Sequence, residues 1–220
     1  MSMLDSAAVV APLAAGWSVH TLWMRHRIDT ARRDPLTGLH TRTAFTRHAT
    51  RLLRTGPAVV VLTDVNNFKQ TNDTHGHTAG DAVLTAVARR MHGLNRSGVY
   101  GRLGGDEFAA VLPVHPLHAR LTLDALRSLL CQDLDHDGTD LPVSVSMGGA
   151  IVHTGRRAHT EDLLSYALRR ADEAMYVAKR SHGCTHVVDL HAADLPDLTA
   201  SVNGRRAGRP GTHEPEEGAW

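Results

Sequence analysis

Apolar residues recur along this chain with two periods, one typical of helices and the other typical of strands. Helical spacing, with apolar residues three or four positions apart, predicts helices over 42–54, 81–91, 119–134 and 160–180. Short apolar and β-branched runs predict strands over 58–64, 99–103, 108–114, 143–152 and 186–188. This order predicts an α/β domain of the α+β kind, a mixed sheet with helices on one side.

The first 33 residues have a different composition from the predicted domain. Residues 6–24 carry no formal charge, and four arginines follow between residues 25 and 33. As a helix this run would span about 28 Å, close to the hydrocarbon thickness of a bilayer. We expect a single membrane anchor that holds the domain at the cytoplasmic face of a bacterial cell membrane. The alternative is a helix that docks on protein or dimerises, in a cytoplasmic protein.

The charge balance, the cysteines and the C-terminal segment limit which classes of protein and site the chain can represent. The chain has 24 basic and 23 acidic side chains, which argues against bulk electrostatic capture of nucleic acid. Cys131 and Cys184 form no metal-binding spacing, so neither a disulfide scaffold nor a thiolate zinc site is expected. Residues 191–220 are rich in glycine, proline and charge, and we expect a disordered tail after a domain at 34–190.

Two segments carry the candidate chemistry. Asp64 ends a predicted buried strand and is followed five residues later by Lys69, an arrangement suited to a cation and a phosphate. The second segment is the turn at 104–107, Gly-Gly-Asp-Glu, between two short strands. Its two glycines allow a ligand to approach the backbone closely. If this hairpin pairs with the 58–64 strand, Asp64 and Asp106 can share Mg²⁺, which prefers carboxylate and phosphate oxygens.

Five motifs in order resemble the GGDEF family, the diguanylate cyclases. The signature is at 102–108, and 34–39, 64–81, 143–148 and 171–179 resemble the family's other motifs. The resemblance implies a nucleotidyl-cyclase-like, ferredoxin-related GGDEF domain, here preceded by the hydrophobic N-terminal segment. It also implies condensation of two GTP molecules into cyclic di-GMP and two pyrophosphates across a homodimer.

The resemblance assigns the metal site residue by residue. Asp64, Asp106 and Glu107 are implied as carboxylate ligands of Mg²⁺, or of Mn²⁺, and Val65 as a carbonyl ligand. Asp106 and Glu107 are also implied as catalytic acids, with Asp106 helping to deprotonate the attacking 3′-hydroxyl. Asn66 stands where the family often has a second aspartate, which removes one negative charge near the metal.

The substrate contacts are implied in the same way. Lys69 resembles a phosphate-contacting lysine and Lys179 a second one, while Asn72 and Asp81 resemble the pair that contacts the guanine edge. His77 is placed near the nucleotide, and Gly104 and Gly105 line it. After Lys179 the arginine usual in the family is missing. The alternative to an active cyclase is a catalytically silent domain that binds GTP and signals through a partner protein.

Overall fold

The structure is a computed structural model that describes Trp17 and residues 32–153, 160–181 and 185–190. The helices are α1 (Arg42–Leu52), α2 (Phe68–His75), α3 (His77–Leu94), α4 (Pro116–Leu130) and α5 (Thr160–Arg180). The strands are β1 (His40–Thr41), β2 (Ala58–Val65), β3 (Val99–Gly104), β4 (Glu107–Pro113), β5 (Leu134–His136), β6 (Thr139–Leu141), β7 (Val145–Val152) and β8 (Thr185–Leu190).

Six strands form one mixed sheet in the order β1-β3-β4-β2-β7-β8. The β3–β4 hairpin pairs with β2, as the sequence analysis expected, and β2 is antiparallel to both of its neighbours, β4 and β7. The outer pairs β1–β3 and β7–β8 are parallel. Because β2 lies inside the sheet, its last residues meet the start of β7 on one side and the turn before β4 on the other.

Helices cover both faces of the sheet, so the expectation of helices on one side is wrong. Val59 and Val61 face a core built with α3 and α4, whereas Ala58 and Val60 face a second core built with α1 and α5. The physical reason is in β2 itself, where the run Ala58–Val61 is buried on both faces. A continuous apolar run of this kind is typical of a strand that is covered on both sides.

Several elements differ from the predicted ones. Helix α2 was not predicted because Phe68–His75 has no fully buried residue and so lacks an apolar stripe. Helix α3 begins at His77 rather than at 81, directly after Gly76, whose φ of 85° ends α2. Helix α4 begins earlier than predicted, at Pro116 directly after the N-cap residue His115. It also ends earlier, because β5 and β6 form a small separate hairpin after it.

The predicted anchor and tail lie outside the described residues. Of the segment 6–24 only Trp17 is described, as a helical residue that is 75% exposed, and the tail 191–220 and Cys184 are not described. None of the helices within the described ranges is long and apolar enough to cross a bilayer. The membrane association expected from residues 6–24 therefore stays a prediction.

Candidate active site

Two carboxylates stand side by side where β2 and β4 meet. Asp64 lies directly opposite Glu107 in the antiparallel β2–β4 ladder, and the Val65 N–H donates to the Asp106 carbonyl at 3.3 Å. Side chains that are directly opposite in such a ladder have Cβ atoms about 5 Å apart. The pairing therefore brings Asp64, Val65, Asp106 and Glu107 together, as the sequence analysis expected.

Each of the two carboxylates faces a cation from a helix on the α1/α5 side of the sheet. Lys179 Nζ of α5 lies 2.9 Å from Asp64 Oδ2, and Arg42 Nη2 of α1 lies 3.9 Å from Glu107 Oε2. The Asp64 side chain is 13% exposed and that of Lys179 is 42% exposed. Lys179, which the resemblance implies as a phosphate contact, thus lies against one of the carboxylates that the resemblance implies as metal ligands.

Helix α5 reaches Asp64 because it lies unusually close to β7. A Cβ placed on Gly148 would fall 2.0 Å from the Ala171 carbonyl oxygen and 2.2 Å from the Met175 nitrogen. Any other residue at this position would force the helix away from the sheet. Met175 is buried in this contact, whereas the next residue, Tyr176, is 63% exposed.

The donor set at this corner fits magnesium. Within the described ranges no three acidic, histidine or cysteine side chains are grouped closely enough to form a metal centre by themselves. Mg²⁺ does not need such a group, because it takes one or two carboxylates and completes its shell with water and substrate phosphates. Asp64 and Glu107, opposite each other on neighbouring strands, supply oxygens of that kind.

The turn between β3 and β4 is held by an arginine. Arg102 Nε donates to the Gly105 carbonyl at 2.9 Å, and its Nη1 donates to Asp34 Oδ1 at 3.1 Å. Gly105 has a φ of 50°, in the left-handed region that favours glycine. Space around both turn glycines is open, with nothing within 4 Å of a Cβ built on Gly104 or Gly105. A ligand can therefore approach the backbone of this turn.

Asp34 completes the contact that holds the turn. Burial of Asp34 raises the pKa of its carboxyl, but hydrogen bonds from Thr37 and Arg102 outweigh that effect and leave the pKa below its usual value. The Thr37 N–H donates to Asp34 Oδ1 at 2.8 Å and the Thr37 hydroxyl donates to it at 2.6 Å. Asp34 thus stays ionised and ties the segment before α1 to the turn.

Asn66 has a structural role in this fold. Its Nδ2 donates to Ser144 Oγ at 3.0 Å, its Oδ1 accepts from Ser146 Oγ at 2.7 Å, and its backbone N–H donates to the Ser144 carbonyl at 2.9 Å. These bonds fasten the end of β2 to the start of β7. The family's aspartate is therefore replaced here by a side chain whose amide groups hold the strand ends together.

The predicted guanine-binding residues lie on α2 and α3, away from the ion pairs. Asn72 is half-buried, and His77 and Asp81 are exposed. Lys69, one turn before Asn72 on α2, is exposed as well. Gly80 brings the two helices together, since a Cβ on it would fall 1.9 Å from Asn72 Oδ1. The contact places Asn72 beside the turn of α3 that carries Asp81.

Sequence reasoning missed the roles of four residues: Asp34, Arg42, Gly80 and Arg102. One signal was present, because an isolated glycine inside a helical pattern usually has a packing reason, and Gly80 is such a residue. No local pattern links Arg102 to Asp34, which is 68 positions away in the chain. The contact between Arg42 and Glu107 is likewise a product of the fold.

The chain is similar to several known proteins. The sequence profile described as "Diguanylate cyclase, GGDEF domain" matches residues 31–184. An uncharacterized 19.3 kDa protein of Streptomyces ambofaciens is 46% identical over 177 residues, which cover 80% of this chain and 92% of that protein.

Two further comparisons concern one protein of Pseudomonas aeruginosa. The diguanylate cyclase TpbB is 34% identical over 173 residues, 73% of this chain, but the match covers only 38% of TpbB. The crystal structure of the TpbB GGDEF domain superposes with a TM-score of 0.61 at 32% identity, covering 70% of this chain and 99% of that domain. The chain thus spans well under half of this relative's length.

Proposed function

The chain belongs to the GGDEF family of diguanylate cyclases, and on that basis we propose that it condenses two GTP molecules into cyclic di-GMP and two pyrophosphates. The observation that carries the proposal is the pairing of Asp64 with Glu107 across β2 and β4, beside the open glycine turn. It supplies neighbouring acidic oxygens where a ligand can reach the backbone.

In the proposed reaction, Asp64, Asp106 and Glu107 would hold Mg²⁺ or Mn²⁺ together with the Val65 carbonyl. A metal bound there would neutralise the charge that develops on the α-phosphate and its leaving group. A carboxylate oxygen of Asp106 accepts the proton of the attacking 3′-hydroxyl. The new bond joins that 3′-oxygen to the α-phosphorus of the other GTP, and the bond from this phosphorus to pyrophosphate breaks.

Lys69 and Lys179 act on the phosphates in this proposal. Lys179 Nζ lies 2.9 Å from Asp64 Oδ2 in the structure. A divalent cation on Asp64 would repel the ammonium, and the triphosphate would attract it. We therefore expect Lys179 to leave Asp64 when the metal and GTP bind, and to contact phosphate from α5.

The base is selected by residues of α2 and α3. The Asp81 carboxylate accepts from guanine N1–H and from the N2 amine, which adenine does not offer in this arrangement. Asn72, held against Gly80, supplies amide groups to the same edge, and His77 lies one turn before Asp81 on α3. This selection favours GTP over ATP.

Two chains are needed for the product to form. Each domain presents one GTP, and the 3′-oxygen of each attacks the phosphorus held by the other, so catalysis requires a homodimer at least transiently. Holding the two substrates in line accounts for much of the expected rate enhancement.

The test is to incubate the purified chain with GTP and Mg²⁺ and to detect cyclic di-GMP by mass spectrometry. The proposal predicts product in a dimeric preparation. A preparation that is shown to be dimeric and to bind GTP but forms no product would contradict it. That outcome would support the alternative, a silent GTP-binding domain that signals through a partner. The ion pair between Lys179 and Asp64 favours this alternative, because it occupies a carboxylate that the proposed metal would need.

We also propose that residues 6–24 attach the protein to the cytoplasmic face of the bacterial cell membrane. The support is their uncharged run and the arginines that follow it. Fractionation of cells that express the full chain tests this proposal. Extraction from the membrane pellet by detergent but not by alkaline carbonate is expected, and recovery in the soluble fraction would contradict it.

A further inference from the structure

Basic side chains from three parts of the fold gather at the β1 edge of the sheet. We call this set the basic surface: Arg32, Arg33, His40, Arg47, His48 and Arg51. The rings of His40 on β1 and His48 on α1 are stacked, with centroids 4.5 Å apart and planes 17° from parallel. Arg47 Nη2 lies 3.5 Å from His48 Nε2. The basic surface lies farther along α1 than Arg42, the residue that contacts Glu107.

The arginines of the basic surface lower the pKa of both of its histidines, in addition to the effect of burial. Burial lowers the pKa of His40 to about 4, with further lowering from Arg33, His48 and Arg47. Burial also lowers the pKa of His48, followed by the effects of Arg47, Arg51, Arg32 and Arg33. Among the described residues, every charged group that shifts the pKa of the two rings is basic. Both rings are therefore neutral at pH 7.

The groups that an anion would use are accessible. Arg33, Arg47 and Arg51 are exposed, and within the described ranges no acidic side chain pairs with Arg47 or Arg51. His40 Nδ1 is buried and has no hydrogen-bond partner among the described residues. Since the whole chain has a formal charge of only +1, this concentration of arginine is local. It requires an explanation other than overall basicity.

We propose that the basic surface binds the anionic phospholipid headgroups of a membrane. Arginine suits this ligand, because its guanidinium fork matches the oxygens of a phosphate group and is always charged. The basic surface binds lipid without using any residue of the candidate active site. The inference therefore does not depend on cyclase activity, and its failure is distinguishable from failure of that proposal.

The position of the surface in the chain favours a membrane over another polyanion. Seven residues separate Met24, the last residue of the uncharged run, from Arg32, so their Cα atoms are eight steps apart. Even fully extended, eight steps span at most about 29 Å. If the uncharged run enters a bilayer, the basic surface is held close to the headgroups.

The experiment compares the full chain on neutral and anionic vesicles. One set of vesicles contains phosphatidylcholine alone. The other also contains about 30 mol% phosphatidylglycerol, which gives it an anionic surface of the kind that attracts basic segments. Both sets are used at low and high salt. The ratio of the two partition coefficients removes any contribution from insertion of residues 6–24. Variant R47E/R51E reverses two charges of the basic surface, and R89E/R120E makes the same change in net charge at exposed arginines of α3 and α4.

We expect a preference of the wild type for anionic vesicles that high salt suppresses. Each basic residue near an anionic surface contributes about fivefold, so R47E/R51E should lower the preference by at least about 25-fold. R89E/R120E should leave the preference nearly unchanged. An equal loss in both variants would overturn the proposal, since net charge alone would then explain the preference.

A second measurement covers the case in which insertion sediments all of the protein. A donor dye on T46C, in a background with both native cysteines changed to serine, reports energy transfer to acceptor-labelled headgroups. Energy transfer should rise with the phosphatidylglycerol content and should be lower in R47E/R51E than in the wild type. Energy transfer that changes neither with lipid composition nor with the substitutions would overturn the proposal. Binding to a DNA duplex at 150 mM salt that exceeds binding to vesicles, and is lost in R47E/R51E, would also overturn it by identifying a different polyanion.

Discussion

The two ends of the candidate site are built by different means. At the carboxylate end, side chains are held by charge, with Lys179 on Asp64, Arg42 near Glu107 and Arg102 on Asp34. At the guanine end, Asn72 is placed by a steric contact with Gly80, and Asp81 is exposed. One end is charged and braced by the sheet and its helices, whereas the other depends on how closely two helices approach.

This difference separates what each end controls. In the proposed reaction, charge at the carboxylate end bears on the chemical step, because that is where negative charge would accumulate on the transferring phosphorus. Packing at the other end, where guanine is proposed to bind, would bear on which base is bound and how tightly. Substitutions at the two ends should therefore change different kinetic constants, and the following variants test that separation.

The largest effect is expected from Asp106→Ala. The residue lies in a turn, so its loss leaves no core cavity, but it removes a carboxylate from the reacting end. We expect kcat to fall by at least about 100-fold, as when one group that stabilises transition-state charge is lost, with an unchanged circular dichroism spectrum. Asp124→Ala, which removes an exposed acid of α4, is the control. Activity of Asp106→Ala above a few per cent of wild type (an order-of-magnitude bound) would show that Glu107 and Asp64 suffice.

A smaller effect, confined to binding, is expected from Gly80→Ala. The new Cβ displaces the Asn72 side chain, whose flexible end lies 1.9 Å from its position. Alanine also favours the helix by about 1 kcal/mol, so the free energy of unfolding should not fall. We expect KM for GTP to rise about 10-fold, the value of one lost hydrogen bond of about 1.4 kcal/mol.

Gly93→Ala is the matched control for this prediction. It lies on the same helix, and nothing is within 4 Å of its Cβ position. It should show the gain in helix stability without the rise in KM. A Gly80→Ala enzyme with wild-type KM would mean that Asn72 does not contact the base.

Asp81→Ala tests base selection at the same end. Inosine triphosphate lacks the N2 amine, so the wild type should prefer GTP by about 10-fold in kcat/KM, the value of one hydrogen bond to a charged group. The variant should lose most of this preference while kcat changes little. Steady-state kinetics with both nucleotides measure it. An equal loss of kcat/KM for the two substrates would show that Asp81 does not distinguish the N2 amine.

The smallest expected effect concerns stability in acid and involves the carboxylate end. The folded pKa of Asp34 is lowered, so the stability that its ionised form contributes is present above the ordinary pKa near 3.8 and is lost as pH falls below that value. We expect Asp34→Asn to be less stable than wild type by about 1–2 kcal/mol at pH 7. The difference should shrink at pH 3, as measured by urea unfolding. A difference that is independent of pH would show that Asp34 does not act through its charge.

The sequence predicted the parts of this molecule that follow from local pattern. The apolar run of β2 and the stripe of α5 predicted these elements within a few residues, and the glycine turn predicted the hairpin that pairs with β2. Helix α2 was not predicted because none of its residues forms a buried apolar stripe. Its start also depends on Asn67 adopting a φ of 55°. A pattern based on burial does not detect an element of that kind.

The ion pairs of the site were not predictable for a different reason. Asp64 and Lys179 are 115 positions apart in the chain (179 − 64) and meet because Gly148 lets α5 approach β7. Arg102 and Asp34 meet because β3 lies next to β1. Composition and spacing identified which residues carry charge, but only the packing of the sheet and helices decides which charges are neighbours.

A crystal structure of the chain with Mg²⁺ and a non-reactive GTP analogue would show whether the two ends serve one nucleotide. We expect metal on Asp64 and at least one of Asp106 and Glu107, Lys179 on phosphate rather than on Asp64, and the guanine edge against Asn72 and Asp81. A nucleotide bound elsewhere, or a metal bound without Asp64 while Lys179 stays paired with it, would show that the two ends do not serve one nucleotide.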